Sequence, residues 1–179
     1  MSPEKQAENQ TTGTSAAARP ANADESTGTS PGTSFSARVG EVILDHDALE
    51  RRLGELRAAG RRVAFANGHF DVLHVGHLRY LTAARETADA LLVALNDDAS
   101  VERLKGPGRP LVPAAERAEL LAALAPVDLV TVFSGDSPAP LLARLRPDVH
   151  CKGTDYGTPE RVPEYETVRA YGGETRLVG

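Results

Sequence analysis

The chain has 179 residues and a net charge of −5 at pH 7, with 41% hydrophobic residues. That length suits one domain with room for a sizeable core. One cysteine excludes an internal disulfide framework and no apolar run approaches the roughly 18 residues of a membrane span, while the mild acidity argues against general nucleic-acid binding. A reducing, cytoplasmic setting is expected.

Residues 1–38 are rich in Ser, Thr, Gly, Ala and Pro, with Phe35 as their one aromatic residue. Such a segment cannot bury enough apolar surface to offset its ordering entropy, so a disordered N-terminal tail is expected. Its three basic and four acidic residues and its lack of an apolar stretch fit neither a nucleic-acid arm nor a signal peptide. One domain is expected over residues 39–179. Leu49, Leu53 and Leu56 mark one face of a helix over Asp47–Ala59, with Asp47 as cap and Gly60 as stop. "RRVAFAN" reads as a short strand, and Val75–Arg85 as a helix with Leu78 and Leu81 inward. "DALLVALN" is a continuous apolar run, the mark of a strand buried on both faces. "LVPAAERAELLAALAPV" reads as a helix with Pro113 in its first turn. Next come a strand "DLVTVF", a helix "SPAPLLARLRP" and a strand "DVHCK". A helix "EYETVRAYGG", stopped by Gly172 and Gly173, and a final strand "ETRLV" complete the series.

Strands alternating with helices at this spacing predict an α/β domain: a Rossmann-like parallel sheet with helices on both faces. Ligands bind beyond the carboxyl ends of such strands. The polar segments "NGHFD", "NDD" and "KGTDY" each follow a strand, so they should gather on one edge. Gly68 permits a tight turn, and the loop from Gly68 to Leu73 feeds a helix start, which attracts phosphate. His74 and His77, three apart, share one side of that first turn, and Gly76 between them leaves room for a nucleotide.

Other readings of these residues stay open. A histidine pair can bind zinc, but zinc usually takes four ligands and no matching downstream cluster exists. Asp71 suits a turn as well as a substrate contact. Asn96, Asp97 and Asp98 can end a strand and cap the next helix. Arg117 can pair with a carboxylate on its own helix. Asp155 and Tyr156 can be substrate contacts or loop structure. Cys151 reads as core, with His150 on the opposite face of its strand.

"HVGH" is an H-x-G-H motif, and "NGHFDVLHVGH" resembles the opening motif of the cytidylyltransferase-like nucleotidyltransferases. "LNDDASVERLKGPGRPLVPAAERAELLAALAPVD" is similar to the adenylyltransferase domains of the ADP-heptose synthases, and "RPDVHCKGTDY" and "VRAYGGETRLV" extend the resemblance over Asp47 to Gly179. The resemblance implies the nucleotidyltransferase fold. It also implies transfer of AMP from ATP to a sugar 1-phosphate such as heptose 1-phosphate, by in-line attack with release of pyrophosphate. His74, His77, Lys105 and Lys152 would be catalytic. Asn67, Gly68, His69, Phe70, Gly76, Asn96, Arg109 and Arg117 would bind nucleotide or phosphate, and Asp71 and Asp155 the substrate. Mg2+ would enter on the triphosphate, with no metal site of the protein's own.

The lysine usage fits. Lys105 and Lys152 are the two lysines of the expected domain, in a chain where 17 of 20 basic residues are Arg, and both fall in these loops. The implied partners are ATP and a sugar phosphate, with a homodimer and no membrane or nucleic acid. Two departures stand out: His69 lies where the family commonly has Cys, and the chain ends at "TRLVG" without the S-T-T element that helps hold the nucleotide. A CTP-dependent transferase acting on glycerol phosphate or a phospho-amino-alcohol is an alternative. A truncated nucleotide-binding module without turnover is another.

Overall fold

A computed structural model describes residues 39–179; the expectation for residues 1–38 lies outside the described residues. Six strands form one sheet: β1 (Glu41–Val42), β2 (Val63–Gly68), β3 (Ala90–Asn96), β4 (Leu129–Phe133), β5 (Val149–Gly153) and β6 (Glu174–Val178). Their order is β1-β4-β3-β2-β5-β6, and every pairing is parallel. Six α-helices connect them: α1 (His46–Ala58), α2 (Val75–Arg85), α3 (Asp98–Lys105), α4 (Ala114–Ala122), α5 (Ala139–Leu145) and α6 (Tyr165–Ala170). No helix among the described residues is long and apolar enough to cross a membrane.

The apolar runs are explained by two cores on opposite faces of the sheet, both of which draw on β2, β3 and β4. Side chains alternate across a sheet. Ala64 and Ala66 of β2 join Leu81 and Ala84 of α2 and Leu121 of α4 on one face. Val63 and Phe65 join Leu49 and Leu53 of α1 and Leu142 of α5 on the other. All seven residues of β3 are buried, as two-sided coverage demands. Cys151 and His150 divide as expected: Cys151 belongs to the first core, whereas His150 packs edge-on against Phe65 of the second.

Several sequence expectations change. The cap of α1 is Asp45, whose Oδ1 accepts from the Asp47 amide at 2.9 Å, so the helix begins at His46. Asp47 instead pairs across the surface with Arg144. Leu81 is fully buried but Leu78 is 42% exposed, because α2 turns Tyr80, Leu81 and Ala84 toward the sheet instead. The helix expected through residue 127 ends at Ala122. α3 had no expectation of its own: its sequence DASVERLK buries only Ser100 and Val101, too little for a periodic signal.

β2 lies at the turning point of this order. β3 pairs on one side of it and β5 on the other. The crevice beyond the carboxyl ends of β2 and β5 is therefore the topological switch point, where such sheets bind ligands.

Candidate active site

A cavity of about 700 Å³ opens at that switch point. The end of β2 and its loop supply Asn67, Gly68, His69 and Phe70; α2 supplies His77 and Tyr80; β3 supplies Asn96. Lys152, Asp155 and Tyr156 follow from β5, and Asp136 and Glu164 close the far wall. The three polar segments that follow strands do meet on one edge.

Phe70 takes a left-handed backbone, φ +48. Its ring folds back over Gly68, where an added Cβ would stand 3.2 Å from it. A column of rings continues from there. Phe70 meets His77 edge-on with centroids 5.2 Å apart, and His77 stacks on His74 at 3.9 Å. His74 is the N-cap of α2: its Nδ1 accepts from the Gly76 amide at 3.1 Å. That bond requires a bare Nδ1, which leaves Nε2 to carry the proton and donate. The His74 ring also fills the space above Gly76, since a Cβ there would be 2.8 Å from it. The room expected for a nucleotide at Gly76 is taken by this imidazole.

Burial, and then His74, push the pKa of His77 down, and its buried Nδ1 has no hydrogen-bond partner. Both effects favour the neutral form of the His77 imidazole. His69 is lowered by burial first and then by the positive charges of Lys105, Arg117 and Lys152, against an opposing effect of Asp71. Three cationic side chains thus lie near enough to this one ring to act on it. The Lys152 side chain is 12% exposed. Burial lowers its pKa, opposed by Glu164 and Asp155.

Deeper residues hold the wall in place. His150 is fully buried and its pKa is pushed down to about 3, by burial and then by Lys152. Its Nε2 lies 3.1 Å from Asn67 Oδ1, an acceptor, so the neutral ring donates there and fixes the amide. The Tyr80 hydroxyl donates to the Cys151 carbonyl at 2.7 Å. Asn96 Nδ2 donates to the Gly135 carbonyl at 3.0 Å, tying the end of β3 to the loop after β4.

Six candidates lie off the cavity wall: His74, Gly76, Lys105, Arg109, Arg117 and Asp71. Lys105 is exposed at the end of α3, near enough to His69 to act on its charge. Arg117 is closed to solvent, and its guanidinium is fully engaged. It donates to the Val112 and His69 carbonyls and pairs with Asp98 of α3 at 2.7 Å. Its carboxylate partner is thus on another helix, not its own. Asp71 accepts from the Leu111 and Val112 amides and from Arg109 at 2.7 Å, so both residues pin the segment before α4. Asp97 caps α3 through the Ser100 amide, and Asp98 accepts from Ala114, the first residue of α4. Glu164 was not among the sequence candidates. It stands at the start of a short helix, and only the fold brings it opposite Lys152. Among the described residues, no three His, Cys, Asp or Glu side chains converge as a metal site.

A family profile described as cytidylyltransferase-like matches residues 65–177. The chain is 49% identical over 156 residues to the bifunctional protein HldE of Geotalea uraniireducens (strain Rf4), covering 83% of this chain and 31% of that protein. It is 52% identical over 139 residues to the same-named protein of Rhodopseudomonas palustris (strain HaA2), covering 77% and 28%. The chain therefore spans under a third of the length of these relatives.

Two solved structures share the fold. One is the lipopolysaccharide core biosynthesis protein of Thermoplasma volcanium GSS1, with TM-score 0.56 and 23% identity, covering 66% of this chain and 97% of that one. The other is the pantoate-beta-alanine ligase of Francisella tularensis, with TM-score 0.57 and 13% identity, covering 77% and 66%. The profile spans most of the chain, from β2 through the Gly68 loop to β6 at the other wall, and the chain belongs to the cytidylyltransferase-like family of nucleotidyltransferases.

Proposed function

We propose that this chain transfers AMP from ATP to a sugar 1-phosphate, with heptose 1-phosphate as the acceptor, releasing pyrophosphate. The observation that carries this reading is the composition of the cavity wall: the Gly68 backbone, His77 and the nearly closed Lys152 all face one space at the switch point. The resemblance of the "LNDD…" segment to ADP-heptose synthases supports ATP and heptose 1-phosphate as the substrates.

The acceptor phosphate has a second pKa near about 6, so it is mostly dianionic at pH 7 and needs no strong base. The remaining task is to bring two polyanions together and stabilise charge at the α-phosphorus. Positioning and electrostatics accomplish that. His77, and His74 through Nε2, would donate to α-phosphoryl oxygens. Amides near Gly68 to Phe70 would seat phosphate at the start of α2. Lys152 within the cavity and Lys105 at its margin would offset charge. Mg2+ would enter on the triphosphate and keep most of its waters, so no large acidic cluster is required. Arg117 and Asp71 would act at one remove, by holding the loops.

Pyrophosphate release should be measured with Mg-ATP or Mg-CTP against heptose 1-phosphate, glycerol 3-phosphate and a phospho-amino-alcohol. ATP with heptose 1-phosphate should be the productive pair. His77→Ala should lower that rate by about 10²–10³-fold with the fold intact, the usual cost of losing one donor to a developing charge. Nucleotide binding with no release for any acceptor would sink the reading and leave a binding module.

A further inference from the structure

Lys152 and Glu164 both line the cavity, and both are almost closed to solvent, with side chains 12% and 6% exposed. Lys152 leaves the end of β5, and Glu164 sits just before α6. Their closest approach is 3.8 Å, within ion-pair range but longer than a hydrogen bond. Glu164 Oε2 is buried and accepts no hydrogen bond. Its Oε1 takes a long one, 3.4 Å from Ser137 Oγ. A buried carboxylate so poorly supplied with donors is costly alone, and so is a buried ammonium. Each is tolerable here because of the other.

We propose that Glu164 is a positioning residue: it is the counter-ion that keeps the Lys152 ammonium charged and within the cavity until a substrate phosphoryl group takes over as its partner. This rests on the reading of Lys152 as a phosphate-contacting cation. Other groups face the same ammonium. His69 and His150 are both held neutral, partly by Lys152 itself. The Tyr156 ring centroid is 5.6 Å from Nζ. Asp155 is negative but exposed, hence screened by solvent and salt. Glu164 is the buried carboxylate of the set and the stronger of the two acids opposing the effect of burial on Lys152. The length of the pair also matters. No short hydrogen bond has to break before the ammonium turns to a phosphoryl oxygen.

The scarcity of lysine supplies a direct test. With 13C at lysine Cε, the full chain should give three ammonium signals, from Lys5, Lys105 and Lys152, and Lys152→Arg identifies one by its loss. The Lys152 signal should titrate below the other two. In Glu164→Gln, which removes charge at constant volume, it should titrate about 1–3 pH units lower again, while Lys105 stays put. The alkaline limb of kcat/KM for pyrophosphate release should move down with it. If Glu164→Gln does not fold, the same titration is read on Glu164→Asp, whose more distant charge should still lower the Lys152 midpoint relative to wild type. An unmoved Lys152 midpoint in the folded variant overturns the proposal. The titration needs no turnover, so it separates this result from a failure of the proposed reaction. That failure would instead appear as an inactive wild-type chain.

Discussion

The His74 imidazole does two jobs at once: it accepts the Gly76 amide, and it stacks on His77. Both depend on the bare hydrogen at Gly76, because a methyl there would stand 2.8 Å from the ring. Gly76→Ala should therefore push His74 off its cap and off His77. Losing the cap costs about 1 kcal/mol, and a helical Gly→Ala exchange returns a similar amount. Thermal stability should hardly change, while pyrophosphate release should fall by about tenfold or more, since small misplacements near the reacting atoms are costly. Unchanged turnover in a stably folded Gly76→Ala chain would detach the ring column from the reaction. The sequence made the His-x-Gly-His spacing visible, because residues three apart share a helix face. It could not reveal that His74 uses one nitrogen on its own helix, which depends on the extended backbone at the cap.

At the scale of elements, Arg117 and Asp98 join three segments that differ widely in sequence position. The guanidinium holds the loop after β2 through the His69 carbonyl, the segment before α4 through Val112, and the start of α3 through Asp98. Asp98 in turn caps α4. Arg117→Met should leave the half-buried Val112 and His69 carbonyls without this donor and Asp98 without its ion-pair partner, and cost about 3 kcal/mol in denaturant unfolding. Arg117→Lys should recover little, because one ammonium cannot span three acceptors in a fixed fork. A loss well under about 1 kcal/mol would mean that other contacts hold these loops. This junction was not legible beforehand: His69 and Asp98 lie far from Arg117 in the chain, and a lone arginine on a helix carries no periodic signal. The same reason hid Glu164. The strands, by contrast, were legible, because β2 through β5 announce themselves as apolar runs bounded by turn residues.

For the whole molecule, strand order governs assembly. Ala64 pairs with Leu91 on one side and with Val149 on the other, a far longer loop to close. Loop-closure entropy grows with length, so contacts distant in sequence form later. Pulse-labelled hydrogen exchange during refolding should find amides of β2 and β3 protected before those of β5 and β6. Simultaneous protection of all four strands would contradict that order. The parallel architecture and the gathering of the polar loops on one edge of the sheet followed from alternation alone. The strand order did not, since alternation says nothing about which side of β2 receives β5.

That order also sets when the cavity comes into being. On the predicted order its two walls would be made at different times: the Gly68 loop and α2 with the early part of the sheet, Lys152 and Glu164 with the late part. A half-assembled chain would then present the proposed phosphate cradle with no ammonium across from it. On the proposed reading, the cavity would hold two anions at once only after the last strands have docked, so completion of the fold itself would act as the gate on its chemistry.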